Sequence, residues 1–222
     1  NLGGQFWASP AIADLDNDGN LEIIITNHNK YIYIINSNGN IELEYFTNQF
    51  LVGTPTIGNL DFDENLEIVF SGIGQNSKLF VINSDSTWVD GFPIEINEDV
   101  FTGVSIADFN GNNLDDIVMG TNDGNLYLFY DNGNIADGFP VQTNGGIKSD
   151  PIIIDLIGNN DLEILFGNEN SEFICLKSNG EIHFNINSSG PIRTSPAIID
   201  HNSSIKIFFG SIDGTLHGIS TE

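Results

Sequence analysis

Basic residues are nearly absent from this chain: six Lys plus Arg stand against 31 Asp plus Glu, a formal net charge of −25 over 222 residues. Nucleic acid and anionic membrane surfaces both require a basic footprint, so neither is expected as a partner, and cations are the natural counterpart. Cysteine occurs once, at Cys175, which excludes an internal disulfide. It aligns with the apolar residues Ile34, Val81 and Leu128, so it reads as a small core side chain and not as a nucleophile. No apolar run approaches the ~20 residues that a membrane-spanning helix needs, so membrane insertion is not expected. Helical periodicity is missing as well; apolar residues alternate or form short runs, which predicts strands. Catalytic constellations are equally scarce. The four histidines, His28, His183, His201 and His217, sit at unrelated places, and neither a Gly-x-Ser-x-Gly elbow nor a Gly-rich phosphate loop occurs.

What the chain has in abundance is repetition. The phrase running from Ser9-Pro10 to Ile23 returns near Thr54-Pro55, Gly103-Val104, Asp150-Pro151 and Ser195-Pro196. The markers at 10, 55, 104, 151 and 196 are separated by 45, 49, 47 and 45 residues. A fixed period of roughly 20–50 residues signals a solenoid, a propeller or an array. Repeat one parses into strands Ala8 to Ala13, Leu21 to Thr26, Tyr31 to Ile35 and Ile41 to Phe46. Repeat three gives Val104 to Ala107, Asp116 to Gly120, Asn125 to Tyr130 and a fourth strand around Phe139 to Gln142. Asn-Gly and Asp-Gly turns fall between them at Asn132-Gly133, Asn179-Gly180 and Asp213-Gly214. Four short antiparallel strands per period are the signature of a propeller blade.

The expectation is therefore an all-β fold, a β-propeller of four-stranded antiparallel blades forming one domain over 1–222. Its repeats lie at 8–52, 53–101, 102–148, 149–193 and 194–222. The fifth supplies only three strands, Thr194 to Ile199, Ile205 to Gly210 and Thr215 to Ser220. A closed five-bladed ring and a portion of a six- to eight-bladed ring both suit this pattern.

Between the first two strands of each repeat lies an acidic loop. In repeat one it reads Asp14, Asp16, Asp18, Gly19, Asn20 and Glu22, with side-chain oxygens at positions 1, 3, 5 and 9 and a backbone carbonyl at position 7 (Asn20). Six to eight hard oxygen ligands in a flexible loop suit Ca²⁺. An EF-hand would close at position 12, but that position is Ile25, inside a strand. Repeat two offers Asn59, Asp61, Asp63, Asn65 and Glu67, with Glu64 in place of the turn glycine. Repeat three offers Asp108, Asn110, Asn112, Leu114 (through its carbonyl) and Asp116. Repeat four offers Asp155, Asn159, Asp161 and Glu163, but Ile157 removes the ligand at position 3. Repeat five is shorter and carries Lys206 where the closing acid would stand. Three loops are thus expected to hold an ion, while the fourth lacks a ligand and the fifth lacks the closing charge.

The stretches Ile12 to Ile25, Ile57 to Phe70, Ile106 to Met119 and Ile153 to Phe166 share the pattern Ile-Ala-Asp-x-Asp-x-Asp-Gly-x-Leu-Glu-Ile. In this the chain resembles the FG-GAP (VCBS) repeat family, whose propellers include the integrin α-subunit head. The resemblance implies calcium loops on the bottom face of a propeller, a location outside the cell or on its surface, and binding duties in place of catalysis. The literal Phe-Gly and Gly-Ala-Pro signatures are absent, so an integrin-like ligand site is not carried over. The family also includes surface-exposed sugar-binding and polysaccharide-cleaving proteins.

Three residues before each marker stand Trp7, Val52, Phe101, Lys148 and Arg193, which would ring the channel mouth on the face away from the loops. Trp7, Phe101, Lys148 and Arg193 are the candidates there for stacking a sugar or holding a carboxylate. The expected function is a calcium-binding extracellular module that adheres to a protein or glycan. A polysaccharide lyase or hydrolase working at that mouth, or a structural subunit of a surface assembly, are the rival readings.

Overall fold

In the first repeat the apolar residues alternate with polar ones, and the chain turns wherever Asn, Asp and Gly cluster. The computed structural model describes residues 2–74, 76–201 and 204–221, and these residues form strands and turns with no helix among them. Strands β1 (Ala11–Ala13), β2 (Glu22–Thr26), β3 (Tyr31–Ile35) and β4 (Ile41–Phe46) pair in sequence order as the first sheet. The second sheet repeats the plan with β5 (Thr56–Gly58), β6 (Glu67–Gly72), β7 (Ser77–Ile82) and β8 (Ile94–Ile96). The third contains β9 (Ser105–Ala107), β10 (Asp116–Gly120), β11 (Asn125–Phe129) and β12 (Val141–Gln142). The fourth contains β13 (Ile152–Ile154), β14 (Glu163–Gly167), β15 (Glu172–Lys177) and β16 (Ile182–Asn187). The fifth has three strands, β17 (Ala197–His201), β18 (Ser204–Gly210) and β19 (Leu216–Thr221).

Packing of the chain divides it into two compact units, residues 1–117 with 129–134 and residues 118–128 with 135–222. In the first unit, Ile24, Ile32 and Ile34 of the first sheet meet Ile68, Phe70, Phe80 and Ile82 of the second. The rings of Phe70 and Phe80 stack at 4.9 Å between centroids. In the second unit, Leu165, Phe173 and Cys175 of the fourth sheet meet Ile207 and Phe209 of the fifth, with Phe173 and Phe209 stacked at 4.1 Å. Cys175 is buried there and its thiol is pushed up to about 12 by that burial, in keeping with an inert core residue.

Burial grades across each sheet. Every residue of β6, β10 and β14 is buried, while the outer strands β4 and β16 share an alternating exposed pattern. A strand covered on both faces must be a continuous apolar run, and one with a wet face must alternate. Residues 68–70 and Ile41–Phe46 meet those two demands, and the polar Glu67 and Ser71 at either end of the apolar run are buried with hydrogen bonds to Leu60 N and Thr102 O.

Some strand limits differ from the sequence expectation. The first strand begins at Ala11, not Ala8, because Ser9 donates its N–H to Thr54 Oγ1 and Pro10 has no N–H to give. The outer strand of the third sheet shrinks to Val141–Gln142, because Phe139 N donates to Ala136 O and closes a turn instead. The fifth sheet starts at Ala197 and not Thr194, whose hydroxyl is occupied with the backbone of Gly210.

Candidate metal centre

Each acidic loop joins the short first strand of a sheet to its buried second strand. The acid at position 9 is therefore the first residue of β2, β6, β10 or β14 and is carried into the core. Glu22, Glu67, Asp116 and Glu163 are all buried. Each spends one oxygen on the N–H at position 2 of its own loop. Leu15 N donates to Glu22 Oε2 (3.0 Å), Leu60 N to Glu67 Oε2 (2.6 Å), Phe109 N to Asp116 Oδ2 (2.9 Å) and Leu156 N to Glu163 Oε2 (2.8 Å). The closing acid thus staples its hairpin shut, a role that the sequence pattern did not reveal, because its partner is a backbone group.

The position-1 acid organises the turn. Asp14 accepts from Asp18 N and Gly19 N, Asp108 from Gly111 N, Asn112 N and Asn113 N, and Asp155 from Gly158 N, Asn159 N and Asn160 N. These three loops place positive φ at positions 4 and 6: Asn17 and Gly19, Gly111 and Asn113, Gly158 and Asn160. The second loop has Phe62 and Glu64 there, neither of which adopts positive φ.

The sequence-derived ligands gather unevenly. Carboxylate oxygens of Asp14, Asp16 and Asp18 lie within 4.8 Å of one another, and so do those of Asp61, Asp63 and Glu67. In the first loop Asn20 donates to the Asp18 carboxylate through both its N–H and its amide, which holds Asp18 below the usual carboxylate range. In the second, Asp63 N donates to Asp61 and Asn65 N to Asp63. The third loop is richer in amides: Asn110 Nδ2 donates to Asp116 Oδ1 and Leu114 N to Asn112 Oδ1. It also gains a neighbour outside the repeat pattern, Asp131, which accepts from Asn112 Nδ2 and whose N–H donates to Asp116. In the fourth, Asn159 bonds Asp161 and is bonded by it. The fifth loop runs into residues 202–203, outside the described residues; Lys206 is exposed on β18.

The second loop supplies a test of fit for a cation. Glu67 is fully buried, and burial together with the charges of Asp61 and Asp63 raises its carboxyl to about 7. Its second oxygen, Oε1, has no hydrogen-bond partner, nor has the buried Oδ1 of Asn59. A buried acceptor left unpaired costs about 1–3 kcal/mol, so two in one loop call for a donor or an ion. Asp116 is likewise pushed up, to about 6, by burial with smaller contributions from Asp131 and Asp108. An all-oxygen set of this kind fits a hard divalent cation.

Loops of successive sheets in the first unit are tied to each other. Leu66 N donates to Leu15 O (3.1 Å), and Asp115 N to Asn59 O (2.7 Å). Asn59 N returns a bond to Asp115 Oδ2 (3.0 Å).

The remaining candidates lie elsewhere. Trp7 stacks on His28 at 4.7 Å, which stacks on Phe50 at 4.8 Å, and Lys30 Nζ sits over the Phe50 ring. Trp7 and Phe101 belong to the first unit and keep 62% and 45% of their surface exposed. Lys148 and Arg193 belong to the second. Arg193 forms a two-pronged ion pair with Glu169 at 2.5 and 2.8 Å, and this pairing, with help from Lys148, depresses the Glu169 carboxyl.

No protein-family description matches the chain, and no curated protein is similar to it in sequence. Solved structures do match in fold. BamB from Moraxella catarrhalis aligns over 94% of this chain and 56% of its own, with a TM-score of 0.67 and 18% identity. The V. cholerae biofilm matrix protein Bap1 aligns over 95% of this chain and 41% of its own (TM-score 0.63, 18% identity). BBS1N, solved in complex with ARL6DN, aligns over 98% and 67% (TM-score 0.66, 10% identity). The chain spans about half the length of the first two. BamB and BBS1 are β-propellers, and the likeness assigns the β-propeller fold to this chain.

Proposed function

We propose that the chain is a calcium-stabilised β-propeller segment of FG-GAP type that serves as a binding module outside the cell, its five sheets being consecutive blades. The observation that carries the calcium reading is the second loop. Asp61, Asp63 and Glu67 converge within 4.8 Å, while Glu67 Oε1 and Asn59 Oδ1 are buried without partners. Asn59, Asp61, Asp63 and Glu67, with the Asn65 carbonyl, would hold the ion there. Asp14, Asp16, Asp18 and Glu22 would do so in the first loop, and Asp108, Asn110, Asn112 and Asp116 in the third. Calcium in these loops acts structurally. It neutralises carboxylates that folding forces together and fixes the hairpin at the base of each buried strand.

The binding role rests on less: the resemblance of the repeats, the exposed aromatic residues Trp7 and Phe101, and the lack of a catalytic constellation. Arg193, which the enzyme reading would require at the channel mouth, is held by Glu169. The test is a pair of melting curves in millimolar calcium and in chelator, followed by calorimetric titration of the metal-free chain. A rise in Tm with two to three sites filled is expected; an unchanged Tm rejects the calcium reading. A glycan array and a protein-capture screen then separate the two classes of ligand.

A further inference from the structure

A groove with a volume of about 340 Å³ opens in the first unit beside the second loop. Its rim carries Asp61, Asp90, Asp131 and Asn132, its walls are Phe62 and Trp88, and no Lys, Arg or His lines it. Leu60, Val89 and Leu114 make a buried apolar floor.

Phe62 contributes nothing to the core. It stands at position 4 of its loop, where the other loops have Asn17, Gly111 and Gly158 at positive φ, and 85% of its surface is exposed. Trp88 is the opposite case, held in place but not covered. Its ring stacks on Phe80 at 5.8 Å and meets Tyr45 edge-on at 5.8 Å, yet 38% of the residue stays exposed. The rim is fixed too. Gly91, next to Asp90, has φ +93°, and a Cβ there would lie 2.2 Å from Asn132 O, so the two turns touch through their backbones. A preformed cleft with aromatic walls and an acidic rim suits a delocalised cation better than a neutral or anionic ligand.

We propose that this groove takes an arginine side chain from a partner protein. A guanidinium is planar and weakly hydrated, so it can lie against an aromatic face and still meet carboxylates edge-on. The net charge of −25 draws basic segments toward the surface before contact. The groove stands apart from the calcium reading, since Asp90, Asp131, Phe62 and Trp88 are there with or without a metal. Asp61 and Leu114 belong to both, and Asp131 is bonded to Asn112 and Asp116 of the third loop, so calcium should weaken the groove severalfold without abolishing it.

The test is a titration of the ¹⁵N-labelled chain with N-acetyl-Gly-Arg-Gly-amide and with its neutral citrulline counterpart, at low salt. The chain has two tryptophans, so two indole resonances are seen, and a Trp88→Phe variant assigns them. The Trp88 resonance is expected to shift saturably with the arginine peptide and not with the citrulline peptide, in chelator and in calcium alike. Phe62→Ala and Asp90→Asn, both at exposed positions, should each weaken binding about five- to tenfold. The proposal is overturned by no saturable shift, by an equal response to citrulline, by undiminished binding in Phe62→Ala, or by a response that appears only with calcium. Saturation by neutral methyl glycosides in place of the arginine peptide overturns it as well. A Tm that ignores calcium rejects the metal reading and leaves this result standing.

Discussion

Glu67 concentrates the physics of the loops in one side chain. Folding buries it fully, one oxygen is held by Leu60 N and the other has no hydrogen-bond partner. Its carboxyl rises from 4.5 to about 7 in the metal-free fold. A raised pKa means that the folded state binds the proton more tightly than the unfolded one. The resulting stability is present below about 4.5 and is lost as pH climbs through about 7. Asp116, raised to about 6, acts in the same direction. Metal-free protein should therefore melt at a higher temperature at pH 5 than at pH 7.5, and calcium should flatten that slope by holding the carboxylates charged. Glu67→Gln keeps an acceptor for Leu60 N while removing the charge. It should raise the metal-free Tm at pH 7.5, by roughly 1–3 kcal/mol in stability, and cut the calcium response. Calorimetric scans across pH with and without calcium check both signs; a lower metal-free Tm for Glu67→Gln at pH 7.5 would reject the claim that the buried charge is a cost there.

Hairpins and turns decide the next scale. Gly91 (φ +93°) and Gly138 (φ +88°) sit in matching turns, and a Cβ on each would lie 2.2 Å from Asn132 O or Asn179 O. Gly19 has a similar φ of +88° with nothing within 4 Å. Alanine at 19 should cost only the backbone term, about 1 kcal/mol, whereas alanine at 91 or 138 adds a clash with immovable backbone and should cost about 2–4 kcal/mol. Urea unfolding of the three variants measures the difference; equal costs would remove the claim of backbone contact. Element by element, the sequence was legible where side chains alone carry the signal. The second and third strands of the first, third and fifth repeats were readable from their apolar runs, and the outer strand β4 of the first from its alternation. First-strand starts were not, because they hinge on whether a residue such as Thr194 spends its hydroxyl on a distant backbone. The carboxylate positions at 1, 3, 5 and 9 were readable, but the staple to the N–H at position 2 was not. Asp131 and the link from Asp115 to Asn59 also escaped notice, since both join residues from different hairpins with no shared spacing. Phe62 carried no signal in the sequence, and its meaning depends on Trp88 and Asp90, which only the fold brings beside it.

At the scale of the molecule, charge and calcium must be separated before either can be credited. A chain with net charge −25 repels itself, so sodium chloride alone should stabilise it by screening, and calcium adds to that in any simple comparison. At fixed ionic strength, an extracellular-type loop with a Kd of 10⁻⁴–10⁻³ M gains ~0.6–1.8 kcal/mol at about 2 mM calcium. The loops are distributed unequally: those beginning at Asp14, Asn59 and Asp108 belong to the first unit, and only the one beginning at Asp155, with Ile157 in its third position, belongs to the second. Calcium protection should follow that division. Hydrogen exchange at constant ionic strength should slow in β2, β6 and the start of β10 (Asp116 and Ile117), which lie in the first unit, and change little in β14. Cys175, buried in the second unit, gives an independent readout, since its reaction with a thiol reagent requires that unit to open. Its rate should respond weakly to calcium while exchange in the first unit responds strongly. Uniform protection across both units, or the same effect from sodium at equal ionic strength, would reduce the calcium loops to a general charge effect.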